Sequence, residues 1–566
     1  MKKPFFSVNV LCILILLLFS VNLLAGNIPV TSRVAMVVSG DHLASEAGVE
    51  VLKEGGNAVD AAVAVGYMLS VTYPWAGNIG GGGFMVIRLS NGKVTTIDFR
   101  ERAPRAATRN MYLDSLNEVI PDASTTGYRA VGVPGTVAGF SYALKKYGTK
   151  PLSHLIAPAI NTAKNGFNIS WQFFWTLKAY ENQLQKDEPT RQIFWKNDRL
   201  IDAGDLLVQN DLAETLQRIA DYGTDGFYKG PIAQKITDAM SKNNGLITLE
   251  DLSLYQPVER PPVVGSYKGY TIYSMGPPSS GGILLIMMLQ SLVHFPLCDY
   301  GFGSSQALHI LIETEKRAFR DRAQLLGDAD FVRVPVKTLI SPEYAERLAE
   351  SINIRSAVPG KNIPEFDPFS HESEQTTHFS VVDSMGNAVS CTYTLNDGFG
   401  AKIMVPGTGF FLNNEMDDFS SKPGSPNIYG LIGTEANAIA PEKRILSSMT
   451  PTIITKDDKL FMVIGSPGGP RIISTVLQVI MNVLEYGMNI QEAVSAPRIH
   501  HQWVPDRVDY EPFGIAPDVL ERLKNMGHQF EQRNYFGDAL VIVLSPVSGL
   551  LYAGVDPRQN GIAAGW

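Results

Sequence analysis

Thr376-Thr-His-Phe-Ser-Val-Val-Asp383, followed after Ser384-Met385-Gly386 by Asn387-Ala-Val-Ser-Cys-Thr-Tyr-Thr-Leu395, is the stretch on which the reading of this chain turns. Both runs are rich in β-branched and aromatic residues, and the short connection containing glycine makes them a β-hairpin. A turn centred on Met385 sets Thr376 across from Thr394, two hydroxyls on one face with Cβ atoms roughly 5 Å apart. Asn396 joins that face if the strand continues, because side chains alternate with period two. A slip of one residue would separate them, so the register decides the reading.

A second hairpin follows, with Met449 to Thr455 and Leu460 to Gly465 flanking Lys456-Asp-Asp-Lys459. Folding back brings Ser447 and Ser448 beside Pro467 and Gly468. Gly468-Gly469-Pro470 then opens an apolar helix from Arg471 to Leu484, with proline suited to a first turn whose N–H groups lack partners. Glycine N–H groups at such a helix start approach a ligand closely and favour negative charge. Hydroxyls at one open end, and hydroxyls with free amides at the other, are raw material for acyl transfer. Taken singly, each is equally a plain hairpin or a helix cap.

Upstream, Ala44 to Val65 reads as helix interrupted at Gly55-Gly56. Gly80-Gly81-Gly82-Gly83 precedes a strand from Phe84 to Leu89; no Lys-Ser/Thr pair follows, which excludes a phosphate loop and leaves close packing. Thr95 to Phe99 is a strand ending at Arg100. Residues 150–249 are mainly helical, and Pro277-Pro-Ser-Ser-Gly-Gly282 is a loop opening another helix. Leu308, Leu311, Ile312 and Phe319 share one helix face. From Ala357 to Ser373, proline, glycine, asparagine, serine and acids mark a linker where a nick is tolerated. No internal repeat stands out.

The first residues carry an address. Met1-Lys2-Lys3 and the apolar run from Val10 to Leu24 form a secretory signal pattern, with Ala25-Gly26 for cleavage; an uncleaved anchor is the alternative. Export, to the periplasm or outside the cell, is the expectation, and no later segment is apolar enough to span a bilayer. The 566 residues suggest several domains by length alone, 45% apolar and 18% charged residues fit a globular protein, and a net charge of -8 argues against nucleic acid as a partner. Cys12 lies in the signal; Cys298 and Cys391 could form one disulfide, but two buried free thiols are expected. Asn168-Ile169-Ser170 is a sequon that matters only in a eukaryotic host. His500-His501 and the other histidines lack metal-ligand spacing.

Read together, the segments resemble the γ-glutamyltranspeptidase family. The motifs are Thr376–Asp383, Thr392-Tyr-Thr-Leu-Asn396, Leu412-Asn-Asn-Glu-Met-Asp-Asp-Phe-Ser420, Leu446-Ser-Ser-Met449 and Gly465-Ser-Pro-Gly-Gly-Pro470. Upstream they are Asp98-Phe-Arg-Glu101, Gly132-Val-Pro-Gly-Thr-Val-Ala-Gly139 and Pro277–Gly282, and the neighbourhood of Asp556-Pro557-Arg558 and Gly561 fits as well. The likeness runs from about Ala35 to Trp566. It implies an α+β fold of the N-terminal nucleophile type, a four-layer αββα sandwich. A precursor cuts itself between Gln375 and Thr376. After a signal over 1–25, fragments 26–375 and 376–566 stay associated as a heterodimer forming one intertwined unit. No metal or cofactor is implied.

The resemblance also distributes roles. Thr376 is nucleophile, its freed α-amine the base, and Thr394 orients its hydroxyl. Gly468 and Gly469 N–H groups stabilise the oxyanion. Arg100, with Ser447 and Ser448, binds the donor's α-carboxylate; Asn396, Glu415 and Asp418 accept from its α-ammonium. Tyr429 gates a lid loop over Pro423–Gly430, and His378 is structural. The expected donors are glutathione and other γ-glutamyl compounds, and the acceptors amino acids, dipeptides or water. Two rivals remain: an acylase of the same fold, whose pocket need not hold an α-ammonium, and an exported, non-catalytic amino-acid-binding protein.

Overall fold

The computed structural model describes residues 27–360 and 376–566; the signal segment, most of the 357–373 stretch and Gln375 lie outside the described residues. Two seven-stranded antiparallel sheets form the centre. One runs Ile562–Gly565, Met36–Ser39, Thr377–Val382, Ala388–Thr394, Gly82–Arg88, Val94–Phe99, Val258–Arg260. The other runs Val30–Ser32, Leu551–Val555, Leu540–Leu544, Lys459–Ile464, Thr452–Lys456, Tyr270–Ser274, Val263–Tyr267.

Side-chain alternation makes these sheets two middle layers. Met36, Val38, Val86 and Val382 meet Ile453, Val463, Leu540 and Ile542 between the sheets. Their neighbours Val37, Phe379 and Val381 point outward to Val63, Val65 and Phe140, on helices Ala58–Thr72 and Thr136–Tyr147. Ile454, Met462 and Ile464 point the opposite way, to Leu285, Ile473 and Val476 on helices Gly281–Leu292 and Arg471–Leu484. Each sheet is covered on both faces, so its central strands are buried on both sides, and the polar residues they carry, such as His378, Ser380, Ser390 and Thr392, are buried with them. The result is the αββα sandwich that the resemblance implies.

The glycine pair divides the first helical region into two helices, His42–Lys53 and Ala58–Thr72, the second running past Val65. Asn57 caps the latter in a reciprocal box with Asp60. Asp383, at the hairpin turn, also accepts from the Ala58 N–H at 3.0 Å, placing a carboxylate at a helix start and tying the hairpin to the outer layer. Cys391 is buried but Cys298 is exposed, contrary to the expectation of two buried thiols, because it sits in a one-turn helix, Leu297–Tyr300, at the rim. No helix among the described residues is long and apolar enough to cross a membrane.

Each sheet draws strands from both sides of position 376: Met36–Ser39 lies between Ile562–Gly565 and Thr377–Val382, and Gly82–Arg88 pairs with Ala388–Thr394. Neither segment alone completes a sheet.

Among the buried charges, Glu315 on helix Ser305–Leu325 accepts from the His501 N–H at 2.8 Å, and burial pushes its pKa up from 4.5 to about 8. The folded chain therefore holds a proton that the unfolded chain releases, and this group's contribution to stability falls as pH rises from 4.5 to about 8. Glu315→Gln removes that loss. Urea midpoints are expected to match wild type below pH 4.5 and to favour the variant increasingly toward pH 8, by at most about 1.4 kcal/mol per pH unit. Parallel midpoints across that window would show that the carboxyl titrates normally.

Candidate active site

The register of the first hairpin is set by its turn. Residues 383–387 connect the strands, with Gly386 in the left-handed region at φ 82 and Asp383 Oδ1 accepting from the N–H of Met385 and of Asn387. Thr377 then pairs with Tyr393 and His378 with Thr392, and the next step along the ladder is Thr376 opposite Thr394. Their hydroxyls lie 3.3 Å apart, with Thr376 donating. Thr394 Oγ1 is held by the Asn396 N–H at 2.9 Å, and Asn396 adopts φ 80, a left-handed conformation asparagine tolerates.

The glycine run beneath this hairpin serves packing. A Cβ on Gly81 would stand 1.9 Å from the Thr394 carbonyl oxygen, and one on Gly83 2.3 Å from that of Thr392. Asn413 locks the same region: its amide donates to the carbonyls of Gly80 and Gly132 and accepts from the N–H groups of Gly132 and Glu415. His378 bridges Thr392 and Ser380 through its two ring nitrogens at 2.8 and 3.0 Å, and burial pulls its pKa down to about 3. It stays neutral at any working pH and is a cross-link.

Arg100 follows the Val94–Phe99 strand into the interior, where 1% of its surface remains exposed. Its Nη1 lies 2.7 Å from Glu415 Oε2 and 3.6 Å from Glu101 Oε2, and its Nη2 2.9 Å from Asp418 Oδ2; the carbonyls of Ile445 and Leu446 also accept from it. Among the described residues, neither oxygen of Glu101 nor of Glu415 receives a well-aimed hydrogen bond. Burial accordingly drives both carboxyls up, Glu101 to about 7, against the lowering influence of Arg100. Three carboxyls around one guanidinium leave acceptors to spare.

The second hairpin carries a two-residue turn with Asp457 and Asp458 both at positive φ, and a bulge between Ile454 and Thr455 shifts the register by one residue. At its open end the Pro277–Gly282 loop grips the serines: the Ser280 N–H and hydroxyl both donate to the Ser447 carbonyl, and Ser279 donates to that of Met449. Arg322, unforeseen from sequence, donates to Ser448 Oγ at 3.2 Å and to Ser280 Oγ at 3.1 Å; burial first, and Arg100 nearby, lower its pKa to about 10. A signal existed. Arg322 continues the three-to-four spacing of Leu308, Leu311, Ile312, Glu315 and Phe319, so a charge falls within an apolar helix face.

Gly468 and Gly469, at φ 128 and 53, precede helix Arg471–Leu484, and among the described residues their N–H groups donate to no protein acceptor. Tyr429 lies over them: a Cβ on Gly469 would be 2.9 Å from its ring. The Tyr429 hydroxyl donates to the Asn396 carbonyl at 2.6 Å, and Asn427 donates to Asp418 Oδ1 at 2.7 Å.

Thr376, Thr394, Arg100, Asn396, Asp418, Tyr429, Ser447, Ser448 and Gly469 thus line one narrow cleft, with Glu415 behind Arg100 and Gly468 beside Gly469. With Tyr429 in place it keeps about 20 Å³, room for about one water. Two wider hollows of about 700 Å³ elsewhere gather none of these residues. Among the described residues no group of three or more His, Cys, Asp or Glu is arranged to hold a metal ion.

The sequence signature of the family described as Gamma-glutamyltranspeptidase matches residues 44–566. The chain is 51% identical over 540 residues to the glutathione hydrolase proenzyme of Escherichia coli strain K12, covering 95% of this chain and 93% of that protein. Among solved structures it resembles the cephalosporin acylase of Bacillus halodurans, with TM-score 0.84 and 28% identity over 96% of this chain and 97% of that one. It also resembles Helicobacter pylori gamma-glutamyltranspeptidase, with TM-score 0.57 and 48% identity over 60% of this chain and 96% of that one. A family signature spanning nearly all of the described chain, and an enzyme precursor matched at half its residues, leave one placement: this chain belongs to the gamma-glutamyltranspeptidase family.

Proposed function

We propose that this chain is a self-processing γ-glutamyltranspeptidase that cleaves glutathione and related γ-glutamyl compounds, passing the γ-glutamyl group to an amino acid, a dipeptide or water. The support for the substrate is the name glutathione hydrolase proenzyme carried by the relative at 51% identity. In the precursor, Thr376 Oγ1 attacks the Gln375 carbonyl carbon; the peptide C–N bond breaks, the nitrogen takes the proton, and water hydrolyses the resulting ester. Fragments 26–375 and 376–566 then remain together through their shared sheets. The α-amine released at Thr376, with a reference pKa of about 8, takes the hydroxyl proton during turnover.

The observation that carries the reading is the charge pattern around Arg100. A γ-glutamyl donor presents a carboxylate and an ammonium on one carbon. Its carboxylate displaces the acidic partners of Arg100, assisted by Ser447 and Ser448. Its ammonium supplies the N–H donors that Glu415 lacks, shared with Asp418 and Asn396. The zwitterion brings one charge of each sign, and its ammonium takes the place of Arg100 beside Glu415 and Asp418, which keeps its burial affordable. The scissile carbonyl meets Thr376 Oγ1, and its developing oxyanion the N–H groups of Gly468 and Gly469; one such donor contributes about 3 kcal/mol. Thr394, 3.3 Å away, keeps the attacking oxygen in line.

The likeness to cephalosporin acylase favours a second reading, hydrolysis of a glutaryl amide. A glutaryl group has no ammonium and leaves those acceptors unmet, a penalty of about 1–3 kcal/mol or more. The kcat/KM for γ-glutamyl anilide is therefore expected to exceed that for glutaryl anilide by about tenfold to a hundredfold, and glycylglycine to divert the product from glutamate to the γ-glutamyl dipeptide. Equal turnover of the two anilides would install the acylase in its place. Passage to the periplasm or beyond, directed by residues 1–25, completes the proposal.

A further inference from the structure

Tyr429 is held from behind as well as from the cleft. Its carbonyl accepts from Gln502 Nε2 at 3.0 Å, and the same amide nitrogen reaches the Val504 carbonyl at 3.4 Å. Two carbonyls cannot donate, so this orientation of the Gln502 amide is required, and Oε1 is left facing His500 Nε2 at 3.0 Å. That nitrogen must therefore carry the ring proton, and Nδ1 becomes an acceptor for the Ser474 hydroxyl at 2.7 Å. Ser474 stands on the first turns of helix Arg471–Leu484, whose start presents Gly468 and Gly469. The whole chain is buried, and Phe319 meets the His500 ring edge-on at 5.3 Å.

From this continuous, one-directional set of bonds we infer that Gln502, oriented by His500 and Ser474, is a positioning residue that latches Tyr429 over the cleft in register with the oxyanion-binding helix. The inference rests on the reading of 423–430 as a lid. The bond at the front, from the Tyr429 hydroxyl to Asn396, fixes the tip of the ring; the latch fixes its backbone, and through Ser474 the two walls of the cleft share one reference point. The titratable groups facing the chain are Arg471, Asp509 and His501 around His500, and Glu315 beside Ser474. Burial pulls His500 down to about 3, so the ring stays neutral and the direction of the bonds does not reverse across the working range.

Gln502→Glu tests the latch because its chemistry is reversible. An ionised carboxylate cannot donate to the Tyr429 carbonyl and repels it, whereas a protonated one donates there and still accepts from His500. The full enzyme is assayed with γ-glutamyl anilide, and amide exchange is followed by mass spectrometry over 423–431. Relative to wild type at about pH 8, KM is expected to rise about tenfold, more than kcat changes, and exchange at Ile428 to Gly430 to quicken by a similar factor. Both ratios are expected to return toward one at about pH 5, a recovery that general damage to the fold would not show. A raised KM with no recovery overturns the latch; because burial can hold the new carboxyl protonated, as it does Glu101 and Glu315, a wild-type response at both pH values is decided by Gln502→Met, whose wild-type KM and exchange would overturn it. Tyr429→Ala separates the readings: an unchanged KM there overturns the lid and the latch with it, while a raised KM beside a wild-type-like Gln502→Met overturns the latch alone. Should Gln502→Glu fail to accumulate, Gln502→Met carries the same expectation without recovery, and wild-type behaviour in that variant overturns the proposal.

Discussion

Thr376→Ala is expected to leave a single uncut chain and to abolish γ-glutamyl turnover, by at least about a thousandfold. The two losses have one cause. On the proposed mechanism the hydroxyl opens the 375–376 bond in the precursor, and the same oxygen, held 3.3 Å from Thr394, accepts the acyl group in the mature enzyme. No neighbour can substitute: His378 is committed to Thr392 and Ser380, and Thr394 to the Asn396 N–H. Thr376→Ser keeps a hydroxyl on the same ladder position and is expected to mature, more slowly, and to turn over. N-terminal sequencing and intact mass read the first outcome, release of anilide the second. Efficient scission of the alanine variant, leaving a chain that begins at the substituted residue, would refute the shared-nucleophile mechanism.

The second large effect is expected at Arg100. Truncation to alanine strands the buried Glu101 and Glu415, and Asp418 with 12% of its side chain exposed, without their common cation. Breaking a buried charge assembly by removing one partner costs about 3–5 kcal/mol. Carboxyls so stranded take up protons in the folded state, so the variant is expected to lose stability increasingly as pH rises. Failure to fold would obscure the effect on binding, which makes Arg100→Lys the decisive variant. Lysine restores a positive charge but not the planar fork that can engage a carboxylate with two parallel bonds. It is expected to recover much of the stability while KM for a γ-glutamyl donor stays raised by about tenfold or more, against at least a hundredfold for alanine at about 1.4 kcal/mol per decade. A wild-type KM in Arg100→Lys would sink the carboxylate clamp.

What was legible in the sequence follows a simple division between local and remote. The pairing of Thr376 with Thr394 needed only the length of one turn, and Gly386 fulfils it. Helix Arg471–Leu484 was legible in full because Pro470 marks its start and apolar residues fill it. The stacking of the two sheets was not visible in periodicity. In runs such as Phe84-Met-Val-Ile87 both faces are buried, one between the sheets and one under helices, so the alternation that usually betrays a strand is absent. The same holds for helix Ala58–Thr72, all of whose residues are buried, and whose extent was read too short. Within the site, Arg100, Glu415 and Asp418 entered through family resemblance, but their pairing with one another and with Glu101 did not. Glu101 and Glu415 come from segments more than three hundred residues apart, and nothing local announces that a lone arginine will meet both. Arg322 and Glu315 did leave a trace, as charges in an otherwise apolar helix face. Gln502 left none, since a glutamine two residues beyond a histidine has no distinctive pattern.

The mixing within each sheet of strands from before and after position 376 has a kinetic corollary. As one polypeptide the molecule folds in a first-order process, with each sheet assembled by loops closing on themselves. Once the 375–376 bond is gone, the same topology can be regained from the denatured state only by the encounter of two pieces, neither of which can shield its own apolar strands while waiting. Scission is thus a one-way gate in the life of the protein. Recovery after denaturation should depend on concentration for cut material and not for uncut, and the durability of the working enzyme is set by how slowly it comes apart rather than by how readily it reforms.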